Sequence, residues 1–154
     1  MVNVVKNNRQ MTSKEIILKL PYQNPFLFVD ELTHISENGI TGNYTLKKDE
    51  YFYKGHFKEN PVTPGVILTE VMAQIGLVCF GVYLMNEKKL NSRPQVALTS
   101  NAIEFYLPVF PEEKVTVIST KEYFRFNKLK CQVEMFNTAN ELVCRGHISG
   151  MVKT

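Results

Sequence analysis

The hydrophobic positions of the chain follow two patterns, and the first predicts β-strands. Six runs are strand-like, bounded by turn residues, and cover residues 26–35, 40–47, 96–107, 114–126, 128–136 and 141–152. Apolar and polar residues alternate most clearly in the last two runs, whose apolar faces consist of Leu129, Cys131, Val133 and Met135 and of Leu142, Cys144, Gly146 and Ile148. The turn at residues 37–39 predicts that the first two strands pair as a hairpin.

The second pattern is a long segment, residues 64–85, that is apolar on nearly every helical face. A helix of this kind is buried on all sides, and Pro64 suits its first turn. A shorter helix over residues 13–20 is predicted by the capping-box spacing of Thr12 and Glu15. Together the patterns predict an α+β fold in which an antiparallel sheet wraps around one long central helix.

Composition and length indicate one globular domain. The chain has 154 residues, of which 44% are hydrophobic and 21% charged, so intrinsic disorder and fibrous architectures are excluded. The net charge of +3 is too small to favour a nucleic-acid binder. We expect residues 1–12 to be a flexible tail and residues 13–154 to form the domain. The N-terminus lacks the pattern of a secretory signal, which predicts a cytoplasmic protein.

The same long segment is also the right length for a membrane span, which takes about 20 apolar residues. Glu70 and Gln74 argue against this alternative, because an ionisable group inside a span costs at least ~2.5–3.5 kcal/mol. We therefore interpret residues 64–85 as a core helix. The three cysteines form no metal-binding or disulfide pattern and are expected to be reduced and buried.

Candidate chemistry is concentrated where the polar residues break the apolar pattern. Glu70 and Gln74 lie one helical turn apart and project from the same face. Just upstream, the segment GHFKENPVTPG at residues 55–65 presents His56 on a loop stiffened by two prolines. An imidazole can remove a proton from the carbon beside a carbonyl, and the free N–H of Gly65 at a helix start can hold the carbonyl oxygen. With Glu70 protonating a departing hydroxyl, the set suits reversible loss of water from a 3-hydroxyacyl group.

These motifs resemble one family. PFLFVDEL at residues 25–32, GHFKENPVTPGVILTEVMAQ at 55–74, NAIEFYLPVFPEEKV at 101–115 and ELVCRGHISG at 141–150 are similar to the beta-hydroxyacyl-acyl-carrier-protein dehydratases of the hotdog fold. The resemblance covers about residues 14–152.

The resemblance implies a lyase whose substrate is a 3-hydroxyacyl group on acyl carrier protein. It implies His56 as the catalytic base, Glu70 as its acid partner and Gly65 as the carbonyl-binding residue. We expect Gln74, Phe57 and Val66 to support this site. It also implies homodimers or larger homo-oligomers whose active sites lie at the subunit interface, each site taking the His from one chain and the acid from the other. No cofactor or metal ion is indicated. A Glu as the acid is similar to the branch that dehydrates without isomerising the double bond.

Three positions depart from the family pattern. Lys58 replaces the usual Pro, Thr63 replaces a frequent Met, and Tyr22 replaces a frequent His. They leave open whether the chain serves general fatty-acid synthesis or a specialised route such as polyene assembly. Two other functions also stay open: a hotdog acyl thioesterase, which would not need His56, and a non-catalytic acyl-binding subunit of a mixed dimer.

Overall fold

The fold is one six-stranded antiparallel sheet curved around a central helix. The computed structural model describes residues 10–85 and 95–153. The strands are β1 (Glu31–Ile35), β2 (Gly39–Thr45), β3 (Gln95–Phe105), β4 (Lys114–Arg125), β5 (Lys128–Phe136) and β6 (Leu142–Lys153). Their order in the sheet is β1-β2-β4-β5-β6-β3. All six predicted strands and the hairpin of β1 with β2 are confirmed, although β1 begins at Glu31 rather than near residue 26.

The first helix, α1 (Ser13–Leu18), is where the capping pattern predicts it and two residues shorter at its end. Thr12 Oγ1 accepts a hydrogen bond of 3.2 Å from the Glu15 N–H, which satisfies one free donor of the first turn. The prediction of a flexible tail over residues 1–12 falls mostly on residues 1–9, which lie outside the described residues. Met11 is buried in the core.

The central helix is continuous from Gly65 to Met85 and contains three segments. It consists of α2 (Gly65–Ala73), a π-helical segment (Gln74–Cys79) and α3 (Phe80–Met85). In the π-helical segment, Ser119 Oγ donates a hydrogen bond of 2.8 Å to the Gly76 carbonyl. A Cβ on Gly76 would lie 3.0 Å from Ser119 Cβ, so glycine permits the close approach of helix and sheet here.

The central helix fills the inside of the sheet. Gly65–Leu84 is long and apolar enough to cross a membrane, but 78% of its most apolar window is buried within the protein. The predicted inward face of β5 is confirmed, because Leu129, Cys131, Val133 and Met135 are all fully buried. The helix is therefore apolar because it lies in the core of the protein, as the sequence predicts.

Strand β6 and the cysteines complete the core. Cys144 and Ile148 are buried as predicted, whereas Leu142 and Gly146 are only half-buried and Val143 is buried in addition. The period of two is broken near the start of β6, where Val143 and Cys144 are buried in succession. All three cysteines are free and buried, as expected, and burial raises the pKa of the Cys131 thiol to about 11.

Candidate active site

His56 lies on the loop between a short 3₁₀ helix (Tyr51–Lys54) and the central helix. Its ring Nδ1 is 2.9 Å from the Val62 carbonyl oxygen. A carbonyl only accepts hydrogen bonds, so Nδ1 carries the hydrogen and donates it. In the neutral imidazole the lone pair is therefore on Nε2. This arrangement leaves Nε2 able to accept a proton from a substrate.

The loop around His56 is closed by its own hydrogen bonds. The backbone N–H of Val62 donates to the His56 carbonyl at 3.0 Å, and the Phe57 and Asn60 backbones exchange two hydrogen bonds of 3.0 Å. The His56–Phe57 peptide bond is cis, and the two rings stack with centroids 3.9 Å apart. The Phe57 side chain is 56% exposed, so one side of the imidazole is covered by an aromatic ring that itself faces outward.

The start of the central helix provides backbone donors. The N–H groups of Ile67 and Leu68 both donate to the Pro64 carbonyl, so the intrahelical bonding begins at Ile67. The N–H groups of Gly65 and Val66 precede these bonds and have no intrahelical acceptor. The helix dipole adds a partial positive charge at the same place. These two donors can bind a partially negative oxygen such as that of a polarised thioester carbonyl.

A pocket of about 310 Å³ opens beside these donors. It is lined by Thr63, Gly65, Leu68, Phe105, Tyr106, Leu107 and Pro108. The Phe105 ring lies against Gly65, where an added Cβ would be 3.3 Å from Phe105 Cζ. Aromatic residues in strand patterns more commonly belong to a sheet core, but Phe105 and Tyr106 are 48% and 46% exposed where β3 ends and form part of this pocket.

Gln74 ties Glu70 to the loop that precedes β1. The fully buried Gln74 amide accepts a hydrogen bond of 2.8 Å from the Phe28 N–H through Oε1. Its Nε2 donates to the Phe26 carbonyl and to Glu70 Oε1, both at 3.0 Å. The backbone donor at Phe28 fixes the amide orientation, so Gln74 must present its NH₂ group to the carboxyl. The predicted pairing of Glu70 and Gln74 on one face is thereby observed.

The environment of Glu70 raises the pKa of its carboxyl. Desolvation by burial raises the pKa of the Glu70 carboxyl, and the hydrogen bond from Gln74 opposes part of that change. Tyr22 is close enough that the charge of Glu70 adds to burial in raising the pKa of the phenol to about 12. The sequence identified Tyr22 only as a departure from a family pattern. Its place beside Glu70 is a finding of the fold.

The structure connects the predicted site residues in two groups. Glu70 and Gln74 are directly bonded, whereas His56 and Gly65 are linked through the loop that contains Val62. Within the described residues, no hydrogen bond or ion pair joins His56 to Glu70. The described residues of one chain therefore hold His56 and Glu70 in two hydrogen-bonded groups with no direct bond between them.

The other histidines stand apart from these groups. His34 is exposed on β1, and His147 Nδ1 lies 2.6 Å from Glu122 Oε1 on the outer face of the sheet. Over residues 10–85 and 95–153, no group of three or more His, Cys, Asp or Glu side chains is placed to hold a metal ion.

Comparison with known proteins finds one family model and several dehydratases similar to this chain. Residues 20–149 match the model of the FabA-like domain family. A 3-hydroxyacyl-[acyl-carrier-protein] dehydratase FabZ of Ehrlichia canis is 30% identical over 151 residues, covering 94% of this chain and 97% of the relative. The enzyme of the same name from Clostridium perfringens is 28% identical over 142 residues, covering 90% and 96%.

Solved structures share the fold at low sequence identity. The dehydratase heterocomplex ApeI:P of Xenorhabdus doucetiae superimposes with a TM-score of 0.77 at 13% identity, covering 95% of this chain and 93% of that chain. A thioesterase of Haemophilus influenzae gives 0.67 at 16% identity with the same coverage. The architecture is thus the hotdog fold, as the sequence predicts, and it is shared by dehydratases and thioesterases.

Proposed function

The chain belongs to the FabA-like domain family, and from this membership and the geometry of His56 and Glu70 we propose that it dehydrates 3-hydroxyacyl thioesters of acyl carrier protein to trans-2-enoyl thioesters. It is an enzyme of the lyase class, in keeping with its dehydratase relatives. The observation that carries the proposal is the hydrogen bond from His56 Nδ1 to the Val62 carbonyl, because it leaves the lone pair of a general base on Nε2, on the loop that leads into the central helix.

The reaction needs one base and one acid. His56 Nε2 takes the proton from C2 of the acyl group, and the electron pair of that C–H bond forms the C2=C3 double bond. The C3–O bond breaks, and the departing hydroxyl takes a proton from the Glu70 carboxyl to leave as water. Afterwards the imidazolium returns its proton to the Glu70 carboxylate through solvent, which restores both groups.

The raised pKa of Glu70 suits the acid role. Burial keeps a larger fraction of this carboxyl protonated at a given pH than in an exposed glutamate. Gln74 occupies Oε1 with a hydrogen bond, which leaves Oε2 to carry the proton toward the substrate. Gln74 therefore supports the reaction by orienting the carboxyl rather than by touching the substrate.

The N–H of Gly65 is proposed to bind the thioester carbonyl oxygen. Charge that develops on this oxygen when C2 loses its proton is stabilised by backbone donors and the helix dipole. Val66 supplies the neighbouring N–H, and Phe57 covers the imidazole on one side. The mostly apolar pocket beside Gly65 is suited to the adjoining part of the acyl group.

We further propose a homodimer, or a larger homo-oligomer built from it, with two active sites at the interface. The edge strand β3 pairs with β6 on one side and with no other strand of the described residues on its second side. Large apolar side chains are exposed near this edge and near the helix start, namely Phe57, Val66, Leu98, Phe105 and Phe110. In the proposed dimer a second copy covers these side chains and places its Glu70 near His56.

The carrier protein and the pathway complete the proposal. Basic side chains that suit an acidic carrier are Lys54, Lys58, Lys121, Arg125, Lys128 and Lys130. General fatty-acid synthesis is the first candidate pathway and polyene assembly the second, because Tyr22, Thr63 and Lys58 depart from the usual motif. We expect the enzyme to work in the cytoplasm.

One assay separates the proposed function from its alternatives. The purified protein alone is incubated with a trans-2-enoyl thioester and with its 3-hydroxyacyl counterpart, and the enoyl absorbance and the free thiol are both followed. Interconversion without thiol release supports the dehydratase. Thiol release that survives His56→Ala would establish a thioesterase instead. If neither reaction occurs, the single-protein enzyme is refuted in favour of a subunit that needs a different partner chain.

A further inference from the structure

A buried pair of hydroxyls joins the two ends of the loop that carries His56. Tyr53 lies in the 3₁₀ helix before the loop, and Thr63 lies two residues before the central helix. Tyr53 Oη and Thr63 Oγ1 are 2.7 Å apart, and the two side chains are only 7% and 5% exposed. Each buried hydroxyl therefore has the other as its hydrogen-bond partner. Thr63 lines the pocket beside Gly65, but neither hydroxyl takes part in the proton transfers proposed above.

The backbone between these anchors leads directly to the imidazole. The His56 N–H donates to the Phe52 carbonyl at 3.0 Å, next to Tyr53 in the chain. At the other end, the Thr63 N–H donates to the Val109 carbonyl at 2.8 Å, and the preceding residue, Val62, provides the oxygen that holds His56 Nδ1. The hydroxyl pair therefore links the segment that carries the ring to the segment whose carbonyl orients it.

We propose that the hydrogen bond between Tyr53 and Thr63 positions His56 for catalysis by holding the Val62 carbonyl on Nδ1. Tyr53 and Thr63 are positioning residues, since they act through His56 and the backbone. The proposal rests on the proposed role of His56 as the base.

The physical reason is that the neutral imidazole has two tautomers. Only the form with hydrogen on Nδ1 has its lone pair on Nε2, and the Val62 carbonyl selects that form by accepting the hydrogen. If the anchors separate, the carbonyl shifts and the selection weakens. A displacement of about 1 Å at a reacting group can cost ~10²-fold in rate, so a modest movement of this loop has a large kinetic effect.

The test compares variants that differ by one hydroxyl. Thr63→Val keeps the shape and removes the hydroxyl, Tyr53→Phe removes the other half of the bond, and Thr63→Ser retains a hydroxyl. We expect Thr63→Val and Tyr53→Phe each to lower kcat by roughly 10- to 100-fold with KM within about threefold of wild type. Thr63→Ser should recover most of the lost rate.

A variant with a hydrogen bond removed elsewhere controls for stability. Ser13→Ala removes the bond from the Leu32 N–H to Ser13 Oγ, 3.1 Å long, which connects α1 to β1 away from His56. We expect it to lower the melting temperature while kcat stays at the wild-type value. A purely structural role for Tyr53 and Thr63 would give the same result as this control.

The tautomer is measured directly by nitrogen NMR on protein labelled with ¹⁵N-histidine. The sequence has three histidines, and the spectrum of His56→Ala assigns the signals of His56 by their absence. At alkaline pH, wild type should show hydrogen on Nδ1 of His56. Thr63→Val should show a mixture of the two tautomers, whereas Ser13→Ala should match wild type.

The outcomes separate this proposal from the function it rests on. If wild-type protein neither hydrates enoyl thioesters nor dehydrates their products, the proposed function fails, and the NMR measurement still decides whether the hydroxyl pair orients His56. If wild type is active but Thr63→Val keeps both kcat and the Nδ1 tautomer, positioning is refuted. An increase in KM at constant kcat would also refute it, because that pattern indicates contact between Thr63 and substrate.

Discussion

Gln74 Nε2 donates a hydrogen bond of 3.0 Å to Glu70 Oε1, one helical turn away on the central helix. The same amide is held by the backbone at Phe26 and Phe28, so a segment 46 to 48 residues before Gln74 orients the Glu70 carboxyl through it. A fully buried amide with each end bonded has little freedom to rotate. These hydrogen bonds hold the Glu70 carboxyl in one orientation. They predict different outcomes for substitutions of Glu70 and of Gln74.

Substitution of Gln74 should mainly affect stability. Gln74→Leu leaves the Phe28 N–H without its acceptor in the protein interior, which typically costs about 1–3 kcal/mol of unfolding free energy. Gln132→Leu is the matched control on exposed β5 surface and should change stability by no more than about 0.5 kcal/mol. Urea denaturation of both variants measures the difference. Equal stabilities would contradict the role assigned to the Gln74 network.

Glu70→Gln should separate function from stability. The amide keeps the shape but cannot donate a carboxyl proton, so we expect a loss of roughly 10²–10⁴-fold in the dehydration rate. Folding should be preserved, because a neutral side chain replaces a carboxyl that burial already disfavours as an anion. Full activity per folded molecule would show that Glu70 is structural. Glu70→Leu should likewise be inactive while its melting temperature stays close to that of wild type.

The pH dependence of stability follows from the same carboxyl. Its folded pKa is raised above the ordinary value of 4.5, so the folded state holds the proton more tightly than the unfolded state. The stabilisation is fully present below pH 4.5 and is lost as the pH rises through the folded pKa. The melting temperature of wild type should therefore decrease relative to that of Glu70→Gln over this window. A difference independent of pH would contradict the raised pKa.

His56→Ala should abolish dehydration without unfolding the protein. The imidazole is half-buried on a surface loop, and a general base is typically worth ~10²–10⁴-fold in rate. The hydration rate of an enoyl thioester and the melting temperature are measured together. Activity within about threefold of wild type would remove His56 from the mechanism.

Gly65→Ala tests the carbonyl site. The new Cβ would lie 3.3 Å from the Phe105 ring, tight enough to displace it within the pocket. Gly55→Ala is the control, since a Cβ there meets no atom within 4 Å. We expect kcat/KM to fall at least about tenfold for Gly65→Ala and to change little for Gly55→Ala, on the scale that misplacement of bound substrate produces. If the two substitutions changed kcat/KM by similar amounts, the thioester carbonyl would not be bound at Gly65.

Mixing inactive variants tests the proposed interface. In a dimer of His56→Ala with Glu70→Ala, one of the two shared sites keeps both groups. Random subunit exchange makes half of the dimers mixed, so about a quarter of the wild-type activity should return. Light scattering and exchange of labelled subunits provide the controls. A monomer in solution, or no recovery after proven exchange, would refute shared sites.

The sequence alone determined the elements and the candidate residues. Alternation along β5 predicted Leu129, Cys131, Val133 and Met135 as buried, because a strand exposes its two faces in turn. The all-apolar segment predicted the central helix, and its single acidic residue identified Glu70. These are local properties, because the residue types and their spacing along the chain determine which element forms and which of its faces is apolar. Even the π-helical turn at Gln74–Cys79 left the prediction of a helix intact.

Tertiary structure decided what those residues contact. The partners of Gln74 come from the loop before β1, and the charge of Glu70 acts on Tyr22 in the same region, so neither interaction follows from helical spacing. The bond between Tyr53 and Thr63 likewise depends on how the His56 loop closes. Burial, and with it the raised pKa of Glu70, arises only when distant segments exclude water. Sequence periodicity assigns a side chain to a face, whereas hydrogen bonds and desolvation depend on what the folded chain packs against that face.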